Sequence, residues 1–340
     1  MIPTVSALAY EAARHRAAVL DRSDRGRIIV TGADRGSYLH GLFTNDIAGL
    51  TAGQGCYAAY LTAQGRLISD MHVYELGDAI LLSLPGDTKD AVLAKLDQFI
   101  FTEDVQLGDV TATFAQIAVV GPEAPAAIAS AIGGEAGATL AALPMHGNAR
   151  VQWNGDPAIL VRIDDAGEPG YEVFVETARA GALQSALTAS GVVPLDTETA
   201  EAIRIESGVP LFHRDMDEET IPLEAGIEPR AISFTKGCYV GQEVIIRVMH
   251  RGHGRVARKL VGVTIDGDRV PASGAAIHAA DREIGRVTSA TRSPALDRPI
   301  ALGYVHRDFV APGTEVTVDG ASARVTAVPF VDRLPAPATP

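Results

Sequence analysis

The chain has 340 residues, of which 47% are hydrophobic and 21% charged, as in ordinary globular proteins. Its net charge of −13 predicts repulsion of nucleic-acid phosphates, and two cysteines are too few for a disulfide framework or a four-thiolate metal site. The sequence lacks a run of roughly 20 apolar residues, the length of a membrane helix, and charged residues interrupt positions 1–27. We therefore expect a cytoplasmic protein that binds neither nucleic acid nor membrane.

Strands and helices alternate through the first two thirds of the chain. Strands are predicted at 27–31, 57–61, 67–76, 79–84, 114–120, 149–153, 158–163 and 171–176. Helices are predicted to open at Asp34 and Asp87, within 123–142, and at 178–189 and 197–207. Glycine turns between the runs at 57–84 favour a meander. This alternation predicts an α+β fold built from two subdomains.

Short β-branched runs with turn residues replace this pattern after about residue 258 and predict a small all-β domain. We expect an α+β region at 1–250, the β domain at 251–333 and a disordered tail at 334–340.

The segment 236–243, Lys-Gly-Cys-Tyr-Val-Gly-Gln-Glu, is the most informative motif in the chain. It predicts a glycine turn at Gly237 that leads into a helix, with Cys238 at the helix start and Lys236 beside it. A thiol in that setting is expected to be more reactive than a buried one. The alternative is a small residue that only packs at the helix start.

This segment resembles the Lys-Gly-Cys-Tyr-x-Gly-Gln-Glu signature of the YgfZ-type branch of the glycine-cleavage T-protein superfamily. Other resembling segments are 20–23, 44–46, 64–66, 170–172, 204–208, 222–226, 288–289, 293–294 and 329–331. The resemblance covers almost the whole chain. It implies a ring of three domains, two interwoven α+β subdomains and a C-terminal β-barrel, that binds tetrahydrofolate and helps to maintain iron–sulfur enzymes.

Two acids are implied to hold the folate. The resemblance places Asp70 beside the reacting nitrogen and Glu172 against the pterin ring, whose N–H groups can donate two parallel hydrogen bonds to a carboxylate. Asp70 also interrupts an apolar run, where a buried acid needs a partner or a raised pKa. Strand alternation puts Glu172 and Phe174 on one face. Without the resemblance, both acids could equally be solvated strand residues.

Further contacts to folate are expected from Arg204, Lys236, Tyr239 and Arg251. Six basic residues and one acid lie between positions 236 and 259, so we expect this strip to receive the glutamate tail of a folate, possibly a polyglutamylated one, or an acidic partner surface. A solvated basic loop is the alternative. No metal site is predicted, since His250 and His253 lack further ligands nearby.

The sequence leaves three functions open, of which the first is the expected one and the second its alternative. The first is a folate-binding accessory protein for iron–sulfur client or assembly proteins, with Cys238 as its reactive centre. The second is a folate-dependent aminomethyl or methyl transferase that uses Asp70. Against the second, T-proteins carry an arginine where this chain has Ala200. The third is a folate-binding scaffold without chemistry.

Overall fold

The structure, a computed structural model, describes residues 5–133, 136–250 and 254–332. Its helices are α1 (Ala7–His15), α2 (Arg35–Leu42), α3 (Lys89–Asp97), α4 (Ala124–Ile132), α5 (Ala136–Ala142), α6 (Ala180–Ala189), α7 (Thr197–Glu206), α8 (Pro222–Ala225), α9 (Glu228–Ala231) and α10 (Gln242–His250). The strands of the body are β1 (Ala18–Asp21), β2 (Gly26–Thr31), β3 (Gly55–Leu61), β4 (Leu67–Glu75), β5 (Ile80–Leu84), β6 (Gln106–Asp109), β7 (Phe114–Val120), β8 (Asn148–Trp153), β9 (Asp156–Ile163), β10 (Gly170–Glu176) and β11 (Val193–Pro194). Those that follow are β12 (Arg258–Ile265), β13 (Ala276–Ala279), β14 (Arg282–Ser293), β15 (Arg298–His306), β16 (Glu315–Val318) and β17 (Ala321–Thr326).

Two sheets share the first part of the chain in an interwoven order. β1 belongs to a six-stranded sheet with the order β11-β1-β7-β10-β9-β8. The chain then builds a five-stranded sheet, β3-β4-β5-β2-β6, before it returns to the first sheet with β7. The predicted meander is present as the antiparallel neighbours β3, β4 and β5. The α+β class and the interwoven subdomains are therefore confirmed.

Side-chain alternation decides what lies between the two sheets. On β4, Met71 and Val73 pack into the core beneath α2 and α3, so Asp70, His72 and Tyr74 point from the opposite face. On β10, Val173 and its alternate neighbours join the core that includes α4 and α6, whereas Glu172 and Phe174 face the other way. Tyr74 and Phe174 meet in one apolar cluster. We call the space between the two inner faces the inter-sheet layer.

A closed barrel with the strand order β12-β15-β14-β13-β16-β17 follows the body and confirms the predicted C-terminal β-barrel. Its interior is filled by alternating aliphatic side chains, among them Val263, Ile277 and Val305, none of which is exposed.

A buried ion network ties the barrel to the body. Arg14 on α1 forms ion pairs with Glu168 and with Glu206 on α7, and all three side chains are almost fully buried. Glu206 also accepts hydrogen bonds from Tyr10 Oη at 2.7 Å and from Ser293 of the barrel. This network joins the N-terminal helix, the segment before β10, α7 and β14.

The helix of the cysteine motif begins later than predicted. α10 starts at Gln242, so Cys238 lies four residues before the helix and not at its first turn. Gly241 is the glycine with a backbone requirement, because its φ is +85° and a Cβ would lie 2.5 Å from Thr62 O. At Gly237 an added Cβ would have room, with His40 Nε2 nearest at 3.9 Å.

Some expectations lie beyond what the structure describes. Arg251, His253 and the predicted tail at 334–340 are outside the described residues. The divisions after residues 250 and 333 stay predictions, although β12 begins at Arg258. Among the described residues, we find no helix with both the length and the apolar character needed to cross a membrane.

Candidate functional site

Asp70 lies in the inter-sheet layer with one carboxylate oxygen bonded and the other unpaired. Its Oδ2 accepts a hydrogen bond from Tyr57 Oη at 2.8 Å. Its Oδ1 is buried and has no hydrogen-bond partner among the described residues. Burial raises the pKa of Asp70, and the positive charge of Arg25 and the Tyr57 hydroxyl oppose that shift. The free oxygen is therefore a strong acceptor that lacks a donor.

Glu172 is more completely buried than Asp70, with 2% of its surface exposed, and polar neighbours contact its carboxylate. Its Oε1 accepts a hydrogen bond from Gln116 Nε2 at 2.7 Å and lies 2.9 Å from Arg22 Nη1. Arg22 also donates to both carboxylate oxygens of Asp165, at 3.0 and 2.8 Å. Burial raises the pKa of Glu172, and Arg22 opposes the shift. Burial acts against the Asp165 charge too, but the paired guanidinium of Arg22 holds the pKa of Asp165 well below its usual range.

A row of aromatic rings begins at Tyr57, the hydrogen-bond partner of Asp70. The ring centroids of Tyr57 and His72 are 5.2 Å apart, and those of His72 and His146 are 5.3 Å apart. The guanidinium of Arg230 lies over the Tyr57 ring, 5.2 Å from its centroid. Burial lowers the pKa of His72 well below its usual value, so its imidazole is neutral at physiological pH. The rings offer flat apolar surface next to a carboxylate, as a bound heterocycle requires.

Asp70 and Glu172 belong to one electrostatic cluster. Arg25 stabilises the ionised form of both acids, whereas the charge of Asp165 disfavours ionisation of both. We call Asp70, Glu172 and the residues that surround them the acid cluster. The members besides the two acids are Arg22, Arg25, Tyr57, His72, Gln116, His146, Asp165 and Arg230. The sequence thus predicted two acids that lie far apart along the chain. The fold places both of them near the same charged residues, Arg25 and Asp165.

Comparison with known proteins gives the family. Residues 4–236 match the GCVT N-terminal domain, and residues 258–332 match the glycine cleavage T-protein C-terminal barrel domain. The chain belongs to the glycine cleavage T-protein family. An aminomethyltransferase of Streptomyces coelicolor is 33% identical over 95% of this chain and 89% of the relative, and one of Rubrobacter xylanophilus is 32% identical over 95% and 86%.

A solved T-protein has the same fold. The structure of glycine cleavage system aminomethyltransferase T from Bartonella henselae superposes with a TM-score of 0.86 and covers 98% of this chain and 92% of that chain, at 24% sequence identity. A chloroplastic putative transferase of Arabidopsis thaliana is 29% identical over 93% of this chain and 71% of the relative. The T-protein superfamily inferred from the sequence is thus confirmed, while the YgfZ-type branch stays a prediction.

Within this T-protein chain, Lys236 has a local structural role. Its ammonium donates hydrogen bonds to the backbone oxygens of His40, Phe43 at 2.7 Å and Asn45 at 2.9 Å, at the C-terminal end of α2. It also lies 5.1 Å from the ring centroid of Tyr239, which is buried. Burial lowers the pKa of Lys236 to about 8, so the ammonium is retained at neutral pH. These contacts favour a structural role for Lys236 and Tyr239 over the predicted contact with folate.

The two cysteines of the chain have different surroundings. Cys238 is exposed, and Cys56 is partly buried on β3. Burial raises the pKa of the Cys56 thiol to about 12, with Lys236 opposing the shift. Cys238 is therefore the accessible thiol, as its proposed reactivity requires. Lys236, which was expected to support it, is bonded instead to α2.

Arg204, a predicted folate contact, lies in the connection to the barrel. Its guanidinium bonds Glu201 in a bidentate pair, Asp215 at 2.7 Å, the backbone oxygen of Val209 and Ser289 of β14 at 2.8 Å. All three guanidinium nitrogens are thus engaged by protein partners, and none of these partners belongs to the acid cluster. The contacts favour a structural role for Arg204.

The sequence missed most of the acid cluster. One available signal was the spacing of Asp70 and His72, which strand alternation places on the same face of β4. Arg22 lies in the segment 20–23 that carries the family resemblance, but nothing local indicated that it would pair with residues about 143 and 150 positions away.

Proposed function

We propose that the protein binds tetrahydrofolate in the acid cluster and transfers a one-carbon group to or from it. The unpaired Oδ1 of Asp70 carries the proposal, because a buried acceptor without a donor is costly unless a ligand supplies one. An N–H of a reduced pterin is a suitable donor. The aminomethyltransferase names of the relatives support this transferase function more than the accessory function implied by the YgfZ-type resemblance.

Five members of the acid cluster have defined tasks in this proposal. Glu172 accepts hydrogen bonds from the pterin, and Arg22 keeps that carboxylate ionised and oriented. The rings of Tyr57 and His72 supply apolar surface for the heterocycle. Asp70 accepts a hydrogen bond from the reacting nitrogen of folate. When that nitrogen bonds to the carbon of a protonated donor amine, the bond from this carbon to the amino group breaks, the amino group leaves as a neutral amine, and Asp70 takes the proton of the folate nitrogen.

Binding of tetrahydrofolate tests the site. We expect calorimetry to show that Glu172→Gln weakens the affinity for tetrahydrofolate about 10- to 100-fold, because one charge-assisted hydrogen bond is lost and an amide N–H faces the pterin N–H groups. The matched control is Glu176→Gln, at the exposed end of the same strand, which should bind as the wild type does. Unchanged affinity in the Glu172 variant would refute the assignment of the pterin site.

An accessory role for iron–sulfur enzymes is the second candidate, and the exposed thiol of Cys238 favours it. The segment 236–243 resembles the YgfZ-type signature, and a reactive thiol must be accessible. In a strain that lacks its YgfZ-type protein, we expect Cys238→Ser to restore iron–sulfur enzyme activity at least about tenfold less well than the wild type if the thiol is the reactive centre. Cys56→Ser serves as the control. Full restoration by Cys238→Ser would remove this candidate.

A further inference from the structure

A cavity lies in the inter-sheet layer, toward the opposite end of β4 from Asp70. Its volume is about 310 Å³, near the lower end of the range of roughly 300–1,000 Å³ for small-molecule sites. Much of its wall is apolar and comes from both sheets, including Ile29, Leu81, Phe114, Ile159 and Phe174. Such a cavity suits a compact apolar body.

One buried cation interrupts this apolar wall. Arg27 of β2 lines the cavity and is only 1% exposed. Its Nη2 donates to the backbone oxygens of Ser23 at 3.1 Å and Thr111 at 2.6 Å. Its Nε and Nη1 are buried and have no hydrogen-bond partner among the described residues. Burying an unpaired guanidinium with unused donors costs folding free energy, and a bound anion would offset that cost.

Three carboxylates act on Arg27 without pairing with it. Asp109, Asp24 and Glu172 favour its charged form from a distance, but Asp109 bonds Lys89, Glu172 pairs with Arg22, and Asp24 is exposed to solvent. Burial and the adjacent Arg25 both act to lower the pKa of Arg27. Arg27 forms no ion pair with any described carboxylate.

The cavity is distinct from the acid cluster. Tyr74 follows His72 on the inner face of β4 and is fully buried. Its ring makes an edge contact with that of Phe174, with centroids 6.4 Å apart. Phe174 of this pair lines the cavity, whereas neither Tyr74 nor any residue of the acid cluster does. A ligand of the cavity therefore need not compete with a ligand of the acid cluster.

We propose that this cavity binds a small carboxylic acid with an aliphatic or aromatic body. The carboxylate accepts hydrogen bonds from the unpaired N–H groups of Arg27, and the body fills the apolar space between the sheets. A phosphate dianion suits the site less well, since it requires more than one free cation. The other arginine at the cavity, Arg150, is paired with Asp78 at the exposed rim.

Calorimetry with octanoate and its uncharged analogue octanamide tests the proposal. We expect the wild type to bind octanoate about 10- to 100-fold more tightly than octanamide. This ratio of affinities corresponds to the usual contribution of a hydrogen bond to a charged group. Arg27→Met should abolish this preference. Thr31→Phe, at a partly exposed position of the cavity, should lower the affinity for both ligands because the larger side chain occupies their space. Arg66→Met removes a surface arginine paired with Glu219 and should leave both affinities unchanged.

A direct readout of Arg27 covers the case in which its variant does not fold. In wild-type protein labelled with ¹⁵N-arginine, octanoate should shift one Nε–H resonance that octanamide leaves in place. Failure of octanoate to bind the wild type at millimolar concentration, an octanoate affinity in Arg27→Met equal to that of the wild type, or an unshifted arginine spectrum would each overturn the proposal. Tighter binding of inorganic phosphate than of octanoate would also overturn it, because the apolar wall would then contribute nothing.

Discussion

Replacing Asp70 by Asn is expected to lower the rate of one-carbon transfer about 10²- to 10⁴-fold, the usual contribution of a positioned acid or base. Asparagine has nearly the shape of aspartate but takes no proton, so the pocket is preserved while its base is lost. Single-turnover kinetics on folate-loaded protein measure this rate. Tetrahydrofolate affinity should change less than about tenfold, because Glu172 and the rings remain.

Tyr57→Phe is the matched variant for this test. It removes the hydroxyl that donates to Oδ2 at 2.8 Å and leaves the carboxylate in place. We therefore expect a smaller loss of rate than in Asp70→Asn. Wild-type turnover in Asp70→Asn would exclude this residue from the chemistry, even if folate still binds.

The rate should also depend on pH through Asp70. Because burial raises its pKa above the ordinary value of 3.8, the base is lost as pH falls through that raised pKa, and the acidic limb of the profile should disappear in Asp70→Asn. The folding stability changes with pH in the opposite direction to the rate. Between the unfolded and the raised folded pKa, the folded state binds more protons, so the free energy of unfolding declines as pH rises through this window. At neutral pH, Asp70→Asn should therefore be at least as stable as the wild type.

Arg14→Met is expected to cost about 3–5 kcal/mol of folding free energy, the cost of removing one partner from a buried ion pair. Glu168 and Glu206 would each lose their pairing with the guanidinium, in surroundings that solvent hardly reaches. Urea denaturation followed by circular dichroism measures the loss. Arg66→Met provides the comparison, because its pair with Glu219 is exposed and should contribute about 0–1 kcal/mol.

The same variant tests how the barrel is attached. Glu206 links Arg14 to Ser293 of β14, so loss of the guanidinium should increase hydrogen exchange at α1 and along the α7–β14 contact before it does so within the barrel. A loss below about 1 kcal/mol, or exchange that increases equally everywhere, would contradict an inter-domain role for this network.

Local pattern was enough to predict much of the fold. The alternating apolar runs of β4 and β10 predicted strands, and glycine turns predicted the meander, because both depend on neighbours in sequence. Less regular elements were missed. α1 and the two-residue β11 became ordered through contacts with distant segments, such as the pairing of β11 with β1 across about 175 positions.

Residue patterns along the chain were enough to predict the α+β body with a β-rich end, and the family resemblance singled out Asp70, Glu172 and Cys238 as residues of interest. The tertiary structure alone decided their surroundings. It paired Arg22 with Glu172 and Asp165, assigned Lys236 to the end of α2 and Arg204 to the barrel contact, and left Arg27 without an ion pair among the described residues. The physical reason is that burial and Coulomb energy depend on distance in space, and a sequence specifies distance only along the chain.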